Sequence, residues 1–386
     1  MIMNQNNTLI DLNLSGNRWR CIKYLPIGFI LLSSFLVSCH EEKSQRNNLI
    51  SDDQKEGNIV ENTEQSETKN TSVKKVISTR EALERLQSYG ILGSFENMKI
   101  SNEIISHYNR YINGDESLND FPYIAKILSL KGKIPKSCIE SFIQEGADVN
   151  LITRDYNIPP LYATTSAENA EIVKLLLEHK ADPNSKDSDD STSLFCAVDN
   201  CNVKIAKLLL EHNADPNVKN SYDNTPLFRA VDRCNVEIVK LLLEHKADPN
   251  SKGRMFDYGV VSSLHRAVDK CNVEIVKLLL EHKANPNTED ATLHKAVDNG
   301  NVEIVKLLLE HKADPNVKDS YGKTPLFRAA DSPSSDNVEI VKLLLEHKAD
   351  PNVKDNEGET PLDRANFNSS RESRVSIIGL LKQAMN

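Results

Sequence analysis

One phrase constrains this chain more than anything else in it, because it recurs. Residues 171–184 read EIVKLLLEHKADPN, and nearly the same words begin again at Lys204, Glu237, Glu274, Glu303 and Glu339. Taken as a helix at about 100° per residue, Glu171, Lys174 and Glu178 share a stripe roughly 60° wide. Ile172, Val173, Leu175, Leu176 and Leu177 fill the rest of the circumference. A helix that is apolar over so much of its surface cannot stand in water and must be covered on several sides. Neighbouring copies supply the cover. Self-similarity at a fixed period therefore predicts a solenoid, which lengthens without new cores and overrides the two or three domains that 386 residues would otherwise suggest.

A shorter segment precedes each copy. Its clearest forms are TPLFRA from Thr225, TPLFRA from Thr324 and TPLDRA from Thr360. Threonine is a good helix N-cap, proline is tolerated at the first helical position, and alanine at the sixth place lets helices approach closely. The phrase pair resembles the ankyrin repeat: a TPLH-like start, a second helix ending LLLE-x-G-A-D-x-N, and a hairpin loop to the next unit. The resemblance covers roughly 119–386. It implies an all-α ankyrin-repeat solenoid of helix–turn–helix units with hairpin loops. About eight units end near Asn150, Asn184, Asn217, Asn250, Asn287, Asn316, Asn352 and the C-terminus. The first, with helices expected over 121–130 and 135–144, and the last, over 353–386, are degenerate caps, as the ends of a stack must be.

Two departures from the family pattern stand out. The resemblance places glycine after the second helix, where the backbone turns left-handed. Here that place holds Lys180, Asn213, Lys246, Lys283, Lys312 and Lys348, and Gly146 alone conforms. Glycine is also usual between the two helices. Gly300 keeps it, whereas Cys201, Cys234 and Cys271 replace it.

The N-terminal region is different in kind. Arg18, Arg20 and Lys23 precede an uncharged run over 25–38, which is too short to span a bilayer and the right size for a signal-peptide core. It ends Leu36-Val37-Ser38-Cys39, which resembles the lipobox of bacterial lipoproteins. That resemblance implies lipidation at Cys39, membrane anchoring through the attached acyl chains, and a cell-envelope location with the outer membrane favoured over the inner, because His40 rather than Asp follows Cys39. The expected organisation is a signal segment over 1–38, a disordered polar tether over 39–76, an N-terminal helical cap or small module over 77–118, and the repeats over 119–386. Within 77–118, helices are expected from Ser78–Thr79 to about Gly90 and from about Asn102 to Tyr111.

No enzyme constellation is present: there is no phosphate-binding Gly-rich loop, no HExxH and no GxSxG. No cofactor and no catalytic residue are expected. The histidines His179, His212, His245, His282, His311 and His347 recur once per repeat. Ligands of one metal converge within about 2 Å of it, so a ladder at repeat spacing is structural and no metal site is expected. The cysteines match neither a zinc pattern nor a disulfide framework and read as packed or idle thiols. A net charge of −9 argues against nucleic acid as a partner.

The expected function is a protein-interaction scaffold, non-enzymatic and lipid-anchored through Cys39, with a protein partner. A secreted or surface-exposed effector that binds a host protein is the alternative, and an enzyme with its site in the N-terminal helical region a remote one. Specificity should lie where the copies differ. Asn217 to Leu227 spans 10 residues, Asn250 to Leu264 spans 14, and Asn287 to Leu293 spans 6. The long loop carries Arg254, Met255, Phe256, Asp257 and Tyr258, a composition usual at binding hot spots. It either folds over the gap left by the short loop or projects to grip a partner. A further insertion, of three residues, reads as a surface loop over 331–337. The other candidate is a basic row at the residue after the TPLH-like start: Arg229, Arg266, Lys295, Arg328 and Arg364. Asp232, Asp269, Asp298 and Asp331 follow the first four three positions later, which predicts i, i+3 ion pairs on a solvated face or, alternatively, a row that grips an acidic partner.

Overall fold

The repeated apolar helix stacks as its composition requires. The computed structural model describes residues 78–386, apart from residues 90, 93–97, 114–116, 118–120, 129, 131–132, 154–156, 256–258, 289–290, 332–334 and 368–371. The signal segment, the tether and Cys39 lie outside the described residues. So do Phe256 and Tyr258.

After α1 (Thr79–Ser88) and α2 (Met98–Ile112) come eight helix pairs. They are α3 (Tyr123–Leu128) with α4 (Lys136–Gln144), α5 (Pro160–Ser166) with α6 (Ala170–Glu178), α7 (Ser193–Asp199) with α8 (Val203–Glu211), and α9 (Pro226–Asp232) with α10 (Val236–Glu244). The hairpin β1 (Lys252–Met255) and β2 (Gly259–Ser262) precedes α11 (Ser263–Asp269) and α12 (Val273–Glu281). Then follow α13 (Thr292–Asp298) with α14 (Val302–Glu310), α15 (Pro325–Asp331) with α16 (Ser335–Glu346), and α17 (Pro361–Asn366) with α18 (Glu372–Ala384). First helices pack on first helices along one layer and second helices on second helices along the other. One continuous apolar core runs through the stack, from Ala82 to Leu381.

The leading pair joins this stack in reversed order. α1 packs on α4, in the second-helix layer, and α2 packs on α3, in the first-helix layer. Ala82, Leu83, Leu86 and Ile104 enter the common core. α2 begins at Met98, four residues before the expected start.

Local chemistry fixes each unit. Thr192, Thr225 and Thr360 are N-caps whose side chains accept from the amide three residues on, and Asp363 completes a capping box with Thr360. Each regular second helix has an asparagine N-cap instead: Asn169, Asn202, Asn235, Asn272 and Asn301 accept from the third amide of their helices. At the other end the recurring histidine is the C-cap. The Nδ1 atoms of His212, His282, His311 and His347 lie 2.8–2.9 Å from the carbonyl four residues back. The His ladder closes helix ends.

The residue after each C-cap histidine is left-handed, with φ between 65° and 68° at Lys180, Asn213, Lys246, Lys283, Lys312 and Lys348. Cys201, Cys234 and Cys271 are left-handed too, at φ 53–56°, with exposed thiols. Nothing in the structure explains cysteine there. Cys138 and Cys196 are buried instead, and burial, above all, pushes the Cys196 thiol up to about 12. These two are packed thiols rather than nucleophiles.

The left-handed residue has a partner across the repeat boundary. Asn217 donates from Nδ2 to the Lys246 carbonyl (3.2 Å) while its Oδ1 accepts from the Asp248 amide (2.8 Å). Asn150 pairs in this way with Lys180 and Asp182, Asn184 with Asn213 and Asp215, Asn287 with Lys312 and Asp314, and Asn316 with Lys348 and Asp350. The last letter of these five phrases thus holds the next copy by two backbone groups, whereas Asn250 accepts from the Asn285 amide (2.7 Å).

The seventh unit departs from the expected surface loop. Its insertion is partly taken up as helix: α16 starts at Ser335, so Asn337, the equivalent of the capping asparagines, lies inside the helix. Asn337 is buried and donates back to the Ala329 carbonyl at 3.3 Å. At the C-terminal end, buried Arg374 of α18 donates to the Arg364 and Ala365 carbonyls and closes α17.

A left-handed conformation disfavours a residue with a Cβ by about 1 kcal/mol relative to glycine. Lys246→Gly is therefore expected to raise the unfolding free energy by about 0.5–1 kcal/mol in urea denaturation, because the Asn217 bonds reach only its backbone. Lys240→Gly, at an exposed position inside α10, should lower it by about 1 kcal/mol. Equal signs for the two would contradict this account.

Candidate binding face

The long loop of the fifth unit is an antiparallel hairpin, a finger, with Lys252 opposite Ser262, Gly253 opposite Val261, Arg254 opposite Val260 and Met255 opposite Gly259. Its base is tied by Ser263, whose amide and hydroxyl both bond the Ser251 carbonyl (2.9 and 3.0 Å), and by the 2.8 Å contact between the two serine hydroxyls. Side chains alternate across a strand pair. Gly253, Met255 and Val261 share the inner face, while Lys252, Arg254 and Val260 are exposed on the outer one.

The described part of the finger is seated on the preceding unit. Gly253 lies flat on the Phe228 ring, where a Cβ would come within 2.1 Å of a ring carbon. Asn224 accepts from the Arg254 amide at 2.7 Å, and the Arg254 guanidinium stands 3.6 Å from the exposed Asp223 carboxylate. That ion pair is weak in solvent. The seating therefore rests on the glycine contact and the Asn224 bond. The adjoining hairpin loop presents Tyr222, 55 % exposed, beside this contact, and Val260 on the finger's outer face is 50 % exposed.

The inner face of the finger meets the basic row. Met255, Val261, His265, Arg266, Asp269 and Lys295 surround a cavity of about 70 Å³. That volume holds a few waters or one small side chain, well short of the roughly 300 Å³ or more of a small-molecule site. Among the predicted site residues, the cavity brings Met255 together with Arg266 and Lys295. Arg229 and Arg328 belong to neighbouring units. The outer face carries Arg254.

The row itself is charge-balanced. Each cation reaches back to the aspartate that ends the previous first helix. Arg229 bonds Asp199, Arg266 bonds Asp232 (2.5 Å), Lys295 bonds Asp269 (2.8 Å), Arg328 bonds Asp298 (2.9 Å) and Arg364 bonds Asp331 (2.7 Å). The expected i, i+3 pairs also occur at Arg229–Asp232 (3.4 Å) and Arg266–Asp269 (2.6 Å). Arg328 takes Asp319 of its own hairpin loop as a second partner at 2.6 Å. The ladder thus runs chiefly between repeats. The physical reason is stacking: the end of one first helix lies beside the middle of the next, so one aspartate serves two cations. Sequence spacing satisfies both pairings equally and does not choose between them.

At two of these aspartates the ladder cations favour the charged form. Burial pushes the Asp269 carboxyl up, but the hydrogen bond and charge of Lys295, with Arg266, outweigh burial and hold it below the usual carboxylate range. Burial likewise opposes ionisation of Asp319, and the Arg328 hydrogen bond with two loop amides reverses the sign. His294, at the fourth place of its unit's TPLH-like start, sits 2.9 Å from the Lys323 carbonyl across the boundary, and burial lowers its pKa.

Residues 127–220, 219–290, 264–355 and 293–378 match a family model described as ankyrin repeats (3 copies). Among solved structures, the chain is similar to the ankyrin repeat domain of Bcl-3, a member of the IkappaB protein family. The identity is 25 % and the TM-score 0.49, over 58 % of this chain and 98 % of that one. It is similar also to the human ASB11 ankyrin repeat domain at 26 % identity and TM-score 0.44, over 59 % and 98 %. No curated protein matches the chain.

A carboxylate whose folded pKa is depressed adds stability above its unfolded value, near 3.8, and loses it as pH falls through the lower folded value. Asp269→Asn should therefore lower the urea midpoint at pH 7 and shrink the loss of stability between pH 5 and acid. Arg266 is left without one of its two carboxylates, so the change at pH 7 is expected to be about 1–3 kcal/mol. An unchanged pH profile would mean that the ladder is idle.

Proposed function

The chain belongs to the ankyrin-repeat family, a protein-interaction scaffold, and on that footing we propose that the fifth-unit finger and the loop beside it make its specific protein contact. The observation that carries this reading is the finger's seating: a glycine clamped on Phe228 and an amide held by Asn224 fix the base. An extension this well anchored presents a preorganised surface, and preorganisation lowers the entropy lost on binding. Arg254, Phe256 and Tyr258 are the side chains proposed to meet the partner, with Tyr222 and Val260 as neighbours, while Met255 backs them from the inner face. Aromatics and arginine dominate such contacts elsewhere.

Arg229, Arg266, Lys295 and Arg328 enter the proposal in a second role. Each is engaged by aspartate, so an acidic partner would have to displace Asp232, Asp269 or Asp298 to reach it. Charge balance supports recognition by shape and aromatic surface. The contact chemistry needs no cofactor and no catalytic group, and the protein is proposed to be non-enzymatic.

We further propose that the scaffold is held at a bacterial cell envelope by acyl chains on Cys39, with residues 39–76 as the tether. The support is the Leu36-Val37-Ser38-Cys39 sequence behind a short uncharged run. Among the described residues no helix is long and apolar enough to cross a membrane.

Two experiments separate the parts. Replacing residues 254–258 by a short Gly/Ser turn should abolish crosslinking to the partner that the wild-type chain captures, with the urea midpoint unchanged within about 0.5 kcal/mol. A lower midpoint with capture retained rejects the finger as the contact. For the anchor, Cys39→Ala or an inhibitor of the lipoprotein signal peptidase should accumulate unprocessed precursor; normal processing rules the lipid out.

A further inference from the structure

The hairpin loops reuse one device. An acidic or amide side chain opens the loop and its Oδ1 accepts the amides two and four residues on. This holds for Asp187, Asn220, Asp319 and Asp355. What differs is the remaining atom of each side chain. The Asp187 carboxylate lies near Tyr162, and its charge adds to burial in raising the Tyr162 pKa. Asp319 Oδ2 accepts twice from Arg328, at 3.1 and 2.6 Å. Asp355, in the last unit, is 8 % exposed, and its Oδ2 is buried with no hydrogen-bond partner among the described residues.

The neighbours sharpen the difference. Arg364, which occupies the Arg328 place, is bonded to Asp331 instead. Glu359 stands where the seventh unit has Lys323, and Glu357 where it has Tyr321. A cation and an aromatic have become two further carboxylates beside a buried one. One oxygen from each of Asp355, Glu357 and Glu359 lies within 4.8 Å of the others. Among the described residues none of the three has a salt bridge. Arg364 is the cation whose charge reaches both glutamates, and its Nε is committed to Asp331.

We propose that Asp355, Glu357 and Glu359 bind a calcium-sized divalent cation in the last hairpin loop. Calcium takes oxygen ligands at about 2.3–2.6 Å, so oxygens on opposite sides of it stand roughly 4.6–5.2 Å apart. Magnesium, at about 2.0–2.1 Å, draws them to roughly 4.2 Å and parts reluctantly with its own waters. Three protein carboxylates converging within 4.8 Å suit the larger ion, because magnesium is usually held by one or two carboxylates and keeps several of its waters. The buried Asp355 oxygen gains the partner that Arg328 supplies one unit earlier. The ion would brace the hairpin loop of the eighth unit.

The test uses the full chain, stripped with chelator and then titrated with calcium chloride or magnesium chloride at matched ionic strength. Calcium at roughly millimolar concentration should raise the thermal midpoint in a saturable way, with magnesium giving much less. In the Glu357→Gln, Glu359→Gln double variant the calcium affinity should fall at least about tenfold. Asp355→Asn keeps the loop, since Asn220 makes the same two bonds in the fourth unit. Without calcium it should melt at or above the wild-type midpoint, and calcium should not raise it further. The proposal is overturned by any of three results: no calcium-specific rise in the wild type, equal effects of the two ions, or an undiminished rise in the double variant.

Discussion

Cover is what every repeat in this protein lacks when taken alone. Each regular second helix is apolar around most of its circumference, and its exposed edge is a single stripe of glutamate and lysine. Ile238, Val239, Leu242 and Leu243 are buried because α8 and α12 lie on either side of α10. At about 25 cal/mol per Å² of apolar surface removed from water, this stacking is the main favourable contribution to folding, and it belongs to pairs of units rather than to any unit. The outermost pairs described depart from this regular pattern. At one end α1 and α2 close the stack in reversed order. At the other, Arg374 turns inward to cap α17.

Polar groups then set the register that apolar stacking alone leaves loose. The asparagine at the end of most phrases binds an amide and a carbonyl of the next unit, and the carbonyl belongs to the left-handed residue after the helix. The strain at Lys246 or Lys312 is thus tied to a bond across the boundary. On the groove face the Arg–Asp ladder repeats the arrangement with charged groups. Both ladders follow from stacking, since each joins atoms some thirty residues apart in the chain.

The finger and the shortened loop were legible as departures in length, and the composition of the finger singled out its candidate contact residues. Where it leans was not legible. That depends on Gly253 meeting Phe228 and on the Arg254 amide meeting Asn224, contacts between units that no spacing encodes. The arginine row was legible as a row, but its pairing was not, because Arg266 is placed equally well by sequence for Asp269 and for Asp232. The second-helix asparagines recur in every copy as the residue three before the isoleucine; that five of them are caps and Asn337 is not follows only once the helix start is known.

By itself the sequence determined the solenoid, its number of units, the helix ends and the places where one unit differs from the next. These are consequences of period, apolar pattern and local backbone preference, which act over a few residues. The tertiary structure decided which atoms meet across unit boundaries: the asparagine bonds, the partner of each arginine, the seat of the finger, and the unpartnered oxygen of Asp355. Those outcomes depend on the rise and turn from one repeat to the next. Side-chain packing through the whole stack sets that geometry, and no single phrase contains it.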